Sequence, residues 1–157
     1  MKIELLFACV AILVFVFAIS MAAGGKDTFS PKRLMTKNEE EFYVRLTKAL
    51  PDFYVFPQVA LRALVQPGAA TSNKKAYFRQ NGRIGSKYCD FLVCALNFDV
   101  VAIIELDDRT HSAAKDAARD AMTGSAGFKT IRYNSRKKPQ PSEILSDVRK
   151  LLLPAAA

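Results

Sequence analysis

The sequence predicts an α/β fold: a mixed β-sheet flanked by helices, preceded by one N-terminal transmembrane helix. Three observations carry this. Two short β-branched runs, residues 91–96 and 100–104, flank the turn-prone Asn97-Phe98-Asp99, as strands buried on both faces do. Amphipathic stripes surround them, giving the order helix, strand, strand, strand, helix, strand, helix. Residues 3–23 form one apolar run broken only by Glu4 and Ser20.

Size, charge and cysteine usage narrow the possibilities. A chain of 157 residues allows one domain with a real core. Its net charge of +8 favours a polyanionic partner, either nucleic acid or an anionic lipid surface. Cys9, Cys89 and Cys94 show neither metal-ligand spacing nor a paired framework, which points to a reducing compartment. No internal repeat is visible.

In chain order, the first run is long enough for a bilayer-spanning helix, which needs about 20 apolar residues. The alternative is a signal peptide cleaved near Ser20-Met21-Ala22. Lys2 is offset by Glu4 and the run exceeds a usual signal core, which favours an uncleaved anchor. Lys26, Lys32, Arg33 and Lys37 come after the run. The positive-inside bias then puts the chain in the inner membrane with a cytoplasmic domain; cleavage would make the domain periplasmic. The expected organisation is an anchor over 1–25, a flexible linker over 26–35 and a globular domain over 36–157.

Residues 36–50 read as a helix. Thr36-Lys37-Asn38-Glu39 fits a capping box, Phe42, Leu46, Ala49 and Leu50 form a stripe, and Pro51 ends it. Residues 54–61 alternate around Pro57, which suits a bent or edge strand. Residues 62–80 yield no element beyond a turn at Pro67-Gly68. Within and after them, Lys74, Lys75, Arg79, Arg83 and Lys87 interleave with Tyr77 and Phe78. Such a pattern can track phosphates and stack on bases, or it can be a solvated loop. Residues 112–126 form an Ala-rich helix carrying Lys115, Arg119 and Met122, with Asp116 and Asp120 on a neighbouring face and Gly127 as C-cap. A strand over 128–133, the basic loop Arg136-Lys137-Lys138 and a last helix over 142–153 complete the chain. Ile144, Leu145, Val148, Leu151 and Leu152 stripe that helix.

The candidate site lies at the ends of the two buried strands. Asp90 opens the first; Glu105, Asp107 and Asp108 close the second. A hairpin centred between Asn97 and Phe98 pairs residues whose numbers sum to 195, so Asp90 faces Glu105 at a Cβ separation of roughly 4.5–5.5 Å. An odd-length loop would spoil this pairing. Asp107 shares the face of Glu105 because side chains alternate. Three converging carboxylates would repel one another, and a hard divalent cation, Mg²⁺ or Mn²⁺, would relieve that. The plainer alternative is acids that mark strand ends in water.

The segments LMTKNEEEFYVRL, FPQVAL, SKYCDFLVC, VVAIIELDDRTH, RD and GFKTIRY resemble the bacterial domain-of-unknown-function family 2726, over residues 34–152. That resemblance implies a restriction-endonuclease-like fold similar to the very-short-patch-repair endonucleases. It further implies an acidic set drawn from a first helix and two core strands, which falls on Glu39, Asp90 and Glu105. The superfamily's usual third-strand lysine is Asp107 here, so His111 is the candidate replacement. The implied activity is hydrolysis of phosphodiesters by a metal-dependent nuclease. Asp90, Glu105 and the Leu106 carbonyl would hold Mg²⁺ or Mn²⁺, and Asp107 would add a ligand or orient the water. His111 would move protons. Lys74, Lys75, Arg79, Arg83, Lys87, Arg109 and Arg119 would contact nucleic acid, DNA foremost. The alternative is a non-catalytic nucleic-acid-binding or membrane-proximal interaction module on the same fold.

Overall fold

The computed structural model describes residues 2–22, 28–107 and 113–152, in two units, Met1–Lys32 and Arg33–Ala157. The first unit carries helix α1, Lys2–Ala22. Among the described residues no helix is long and apolar enough to cross a membrane. This corrects the transmembrane helix expected from residues 3–23.

The second unit is a mixed α/β domain. Its sheet contains β1 (Tyr54–Ala60), β2 (Tyr88–Cys94), β3 (Val100–Asp107) and β4 (Thr130–Asn134), in the order β1-β2-β3-β4. The first three strands are antiparallel, and β4 runs parallel to β3. Helices α2 (Lys37–Ala49), α3 (Lys74–Ile84), α4 (Ala113–Ser125) and α5 (Pro141–Leu152) flank it.

Helix α2 begins where its sequence says it should. Thr36 Oγ1 accepts a hydrogen bond from the Glu39 N–H while the Thr36 N–H donates to Glu39 Oε2, a complete capping box. Its Phe42, Leu46 and Ala49 are buried, together with Phe91, Ile104 and the α5 residues Ile144 and Val148. Phe42 meets the rings of Phe91 and Tyr133 edge-on, with centroids 5.7 Å apart in each case. The opposite sheet face gathers Leu61, Ile84, Leu92 and Ile103, with Met122 and Phe128 against them.

Two features depart from the sequence reading. Helix α3 begins in the stretch, residues 62–80, for which the sequence yields no element beyond a turn. Asn73 caps it, its Oδ1 accepting from the Ala76 N–H, but Ile84 is its one buried residue, so no apolar stripe announced it. The hairpin also turns differently. Phe91↔Ile104, Leu92↔Ile103 and Val93↔Ala102 keep the expected register, yet Cys94 pairs with Val100. The intervening loop, 95–99, is therefore odd in length, and an irregularity between Val93 and Cys94 absorbs the shift, with Val101 as the extra residue of a bulge. The bulge preserves the pairing at the acidic end.

Candidate functional site

One more step along the register sets Asp90 opposite Glu105. Ile103, Glu105 and Asp107 all face α3 and α4, since alternate side chains share a face. Asp90 is half-buried, and its Oδ2 accepts a hydrogen bond from the Leu106 N–H at 2.8 Å. The aspartate thus captures a backbone donor where the β2–β3 ladder ends.

Glu105 is only 2 % exposed. Its Oε2 lies 3.1 Å from Arg119 Nη2, and the Arg119 side chain, carried on α4, is itself 17 % exposed. Burial first, and the Asp90 charge second, push the Glu105 carboxyl up to about 8 against the opposing pull of Arg119 and Arg132. Asp107, half-buried, is gripped differently: Arg132 Nη1 donates to its Oδ1 at 2.6 Å. The same guanidinium holds Asp120 of α4 through Nε at 3.1 Å and Nη2 at 2.9 Å, and the Asp120 bonds foremost raise its pKa above the usual arginine value. Among the described residues, four carboxylates therefore face two guanidiniums around this sheet end.

The donor chemistry fits a hard cation in part. Adjacent carboxylates offer hard oxygen donors, of the kind that suit Mg²⁺ or Mn²⁺ rather than a soft metal. They form a pair, however, and among the described residues no cluster of three or more His, Cys, Asp or Glu could hold a metal. At Leu106, the N–H is what reaches Asp90.

Glu39 is engaged through both oxygens. Oε2 accepts from the Thr36 N–H, and Oε1 accepts from Gln58 Nε2 at 3.1 Å. Gln58 sits on β1 between the pairs Pro57↔Phe91 and Val59↔Cys89, hence across from Asp90, and its φ is +52°. Glu39 is thereby tied to the strand position beside Asp90. On α3, Lys74, Lys75, Arg79 and Arg83 are exposed, and the last three recur every four residues as one cationic stripe. Lys87 extends it, its Nζ donating to the Arg83 carbonyl. Arg119 is absent from that surface because it turns inward to Glu105. His111, Arg109 and Asp108 lie outside the described residues.

Sequence reasoning missed Arg132, Asp120 and Gln58. In the fold Arg132 is the charged residue of β4 and pairs in register with Glu105, but the strand read from the sequence, 128–133, also held Lys129, so no one-dimensional signal singled it out. Cys89 is a different case. Its buried thiol is pushed up to about 12, burial first and Glu105 second, which makes it a packing residue rather than a nucleophile. A cavity between α3 and α4, lined in part by Val65, Gln80, Arg83 and Met122, contains none of the site acids.

Fold and site together define a mixed α/β domain with a buried acid–arginine network at one sheet end. The chain belongs to the family described as Protein of unknown function (DUF2726), which matches residues 31–151. An uncharacterized protein of Haemophilus influenzae is 31 % identical over 102 residues, 62 % of this chain and 50 % of that relative. The chain thus spans about half the length of the curated relative it matches. No solved structure matches.

Proposed function

We propose that the domain is a metal-dependent phosphodiester hydrolase acting on nucleic acid, with Asp90 and Glu105 as its cation-binding pair. The observation that carries this is the adjacency of the two acids together with the burial of Glu105, whose carboxyl is pushed up to about 8 by burial and by Asp90. Such a pair is short of positive charge, and perturbed acids in one cluster mark functional sites. The Leu106 carbonyl would be the third oxygen donor. A bound Mg²⁺ or Mn²⁺ supplies polarisation of the phosphate and a more acidic water. Arg119 orients Glu105, Arg132 fixes Asp107 beside it, and Gln58 holds Glu39 next to Asp90. Lys74, Lys75, Arg79, Arg83 and Lys87 attract the phosphate backbone, and His111 and Arg109, outside the described residues, would serve as proton carrier and phosphate contact. The restriction-endonuclease-like fold that the family resemblance implies would suit the same reading, at the level of fold alone.

Titration of the full chain with Mg²⁺ and Mn²⁺ by calorimetry, alongside cleavage of single- and double-stranded DNA and RNA, tests this. Saturable metal binding and cleavage are expected, both lost in Glu105→Gln. Metal binding that survives Glu105→Gln and Asp90→Asn unchanged would overturn the assignment.

A second reading has its own observation. Arg119 on Glu105 and Arg132 on Asp107 already compensate two of the acids. A non-catalytic nucleic-acid-binding module would need no more, and its binding would be salt-sensitive but indifferent to Mg²⁺.

A further inference from the structure

Two cationic groups flank the acidic end of the sheet, and only one of them belongs to α3. On the β2 side, Arg83 and Lys87 lead directly into the strand that carries Asp90. On the β4 side, the register sets Asp107 against Asn134, and the Ser135 N–H donates to the Asp107 carbonyl at 3.0 Å. The chain is then fixed in a tight turn. Asn134 Oδ1 accepts from the Arg136 N–H at 2.9 Å and the Lys137 N–H at 3.2 Å, an arrangement that Asn side chains favour. Lys138 is committed to Glu41 at 2.5 Å. Arg136 and Lys137 are both exposed, and among the described residues neither forms an ion pair.

We propose that the Arg136-Lys137 turn is a second phosphate clamp, gripping a nucleic-acid strand on the β4 side of the acids while Arg83 and Lys87 grip it on the β2 side. This rests on the nucleic-acid reading above and specifies its substrate. Two strand intervals separate β2 from β4, about 10 Å at ~4.8 Å each. A nucleic-acid strand advances ~3.4 Å per phosphate along its axis, so about three phosphates cross the sheet end. The partner is therefore a continuous strand; a mononucleotide reaches only one of the two groups.

The test compares two charge reversals in the full chain, Arg136→Glu with Lys137→Glu, and Arg149→Glu with Lys150→Glu on the exposed face of α5. Both change net charge equally. Affinity for labelled single-stranded and duplex oligonucleotides is read against salt, with circular dichroism confirming the fold and Arg136→Gln as a milder variant. The turn reversal is expected to flatten the log–log salt slope by roughly 1.8 on duplex and roughly 1.4 on single strands, two contacts' worth, well beyond the α5 reversal. Arg136→Gln alone takes about half of that. Equal slopes for the two reversals would overturn the clamp while leaving metal binding at Asp90 and Glu105 untouched. A wild-type chain that binds no oligonucleotide removes the clamp together with the reading beneath it.

Discussion

The two faces of the sheet are built from the same strands yet held by different forces. Toward α2 and α5, Phe91, Ile104 and Leu106 meet Phe42, Leu46, Ile144 and Val148 in a dry apolar core. Toward α3 and α4, the apolar contacts of Leu92 and Ile103 give way to Glu105 and Asp107 against Arg119 and Arg132. Ile104 and Glu105 are neighbours along β3, both fully or almost fully buried, and they point to opposite faces. The difference lies in the covering helices: α2 and α5 bring aliphatic and aromatic stripes, whereas α4 brings Arg119 and Asp120. One face thus supplies the stability that lets the other hold charge.

The sharpest way to break that comparison is to damage the dry face. Phe42→Ala removes a ring with no exposed surface and both of its edge contacts, at an expected cost of about 3–5 kcal/mol. Denaturant unfolding should show a lower midpoint with an unchanged slope. A loss under about 1 kcal/mol would mean the charged face carries the fold instead.

The next effect belongs to the charged face. Removing Arg119 leaves Glu105 buried without its cation, and breaking such a pair costs on the order of 3 kcal/mol when the survivor is ionised. The pH dependence gives this a sign. The Glu105 carboxyl moves from an ordinary 4.5 to about 8 in the folded chain, so the folded state holds the proton more tightly. Its contribution to stability is complete below about pH 4.5 and is lost as pH rises through about 8. Arg119→Met should steepen that decline, since the guanidinium opposes it, and Glu105→Gln should flatten it. Thermal unfolding from pH 5 to 9 reads all three. A Glu105→Gln variant with the wild-type profile would show that another group titrates.

What the sequence made legible divides along the same line. The stripe of α2, its capping box, the stripe of α5 and the two buried strands declare themselves by period and punctuation, because apolar burial leaves a periodic trace. The register at Asp90 and Glu105 came from counting across the hairpin, and it survived an odd loop only because a bulge around Val101 compensated. Helix α3 was illegible: it buries one residue and shows solvent a row of cations. The roles of Arg119 and Arg132 were equally hidden. An arginine turned inward to a carboxylate looks, in one dimension, the same as one turned outward to phosphate.

Gln58 joins the two faces, and the smallest expected effect tests that junction. It adopts φ +52° on β1, a left-handed conformation costing a non-glycine residue about 1–2 kcal/mol, while its amide donates to Glu39 on α2. Gln58→Ala keeps the strain and loses the bond, so it should destabilise by about 1 kcal/mol. Gln58→Gly loses the same bond but relieves the strain, which should bring the net change to within about 0.5 kcal/mol of zero. The gap between the two variants in chemical denaturation measures what the left-handed turn costs. If alanine and glycine prove equal, the geometry beside Asp90 is unstrained, and Gln58 is held there by the hydrogen bond to Glu39 alone.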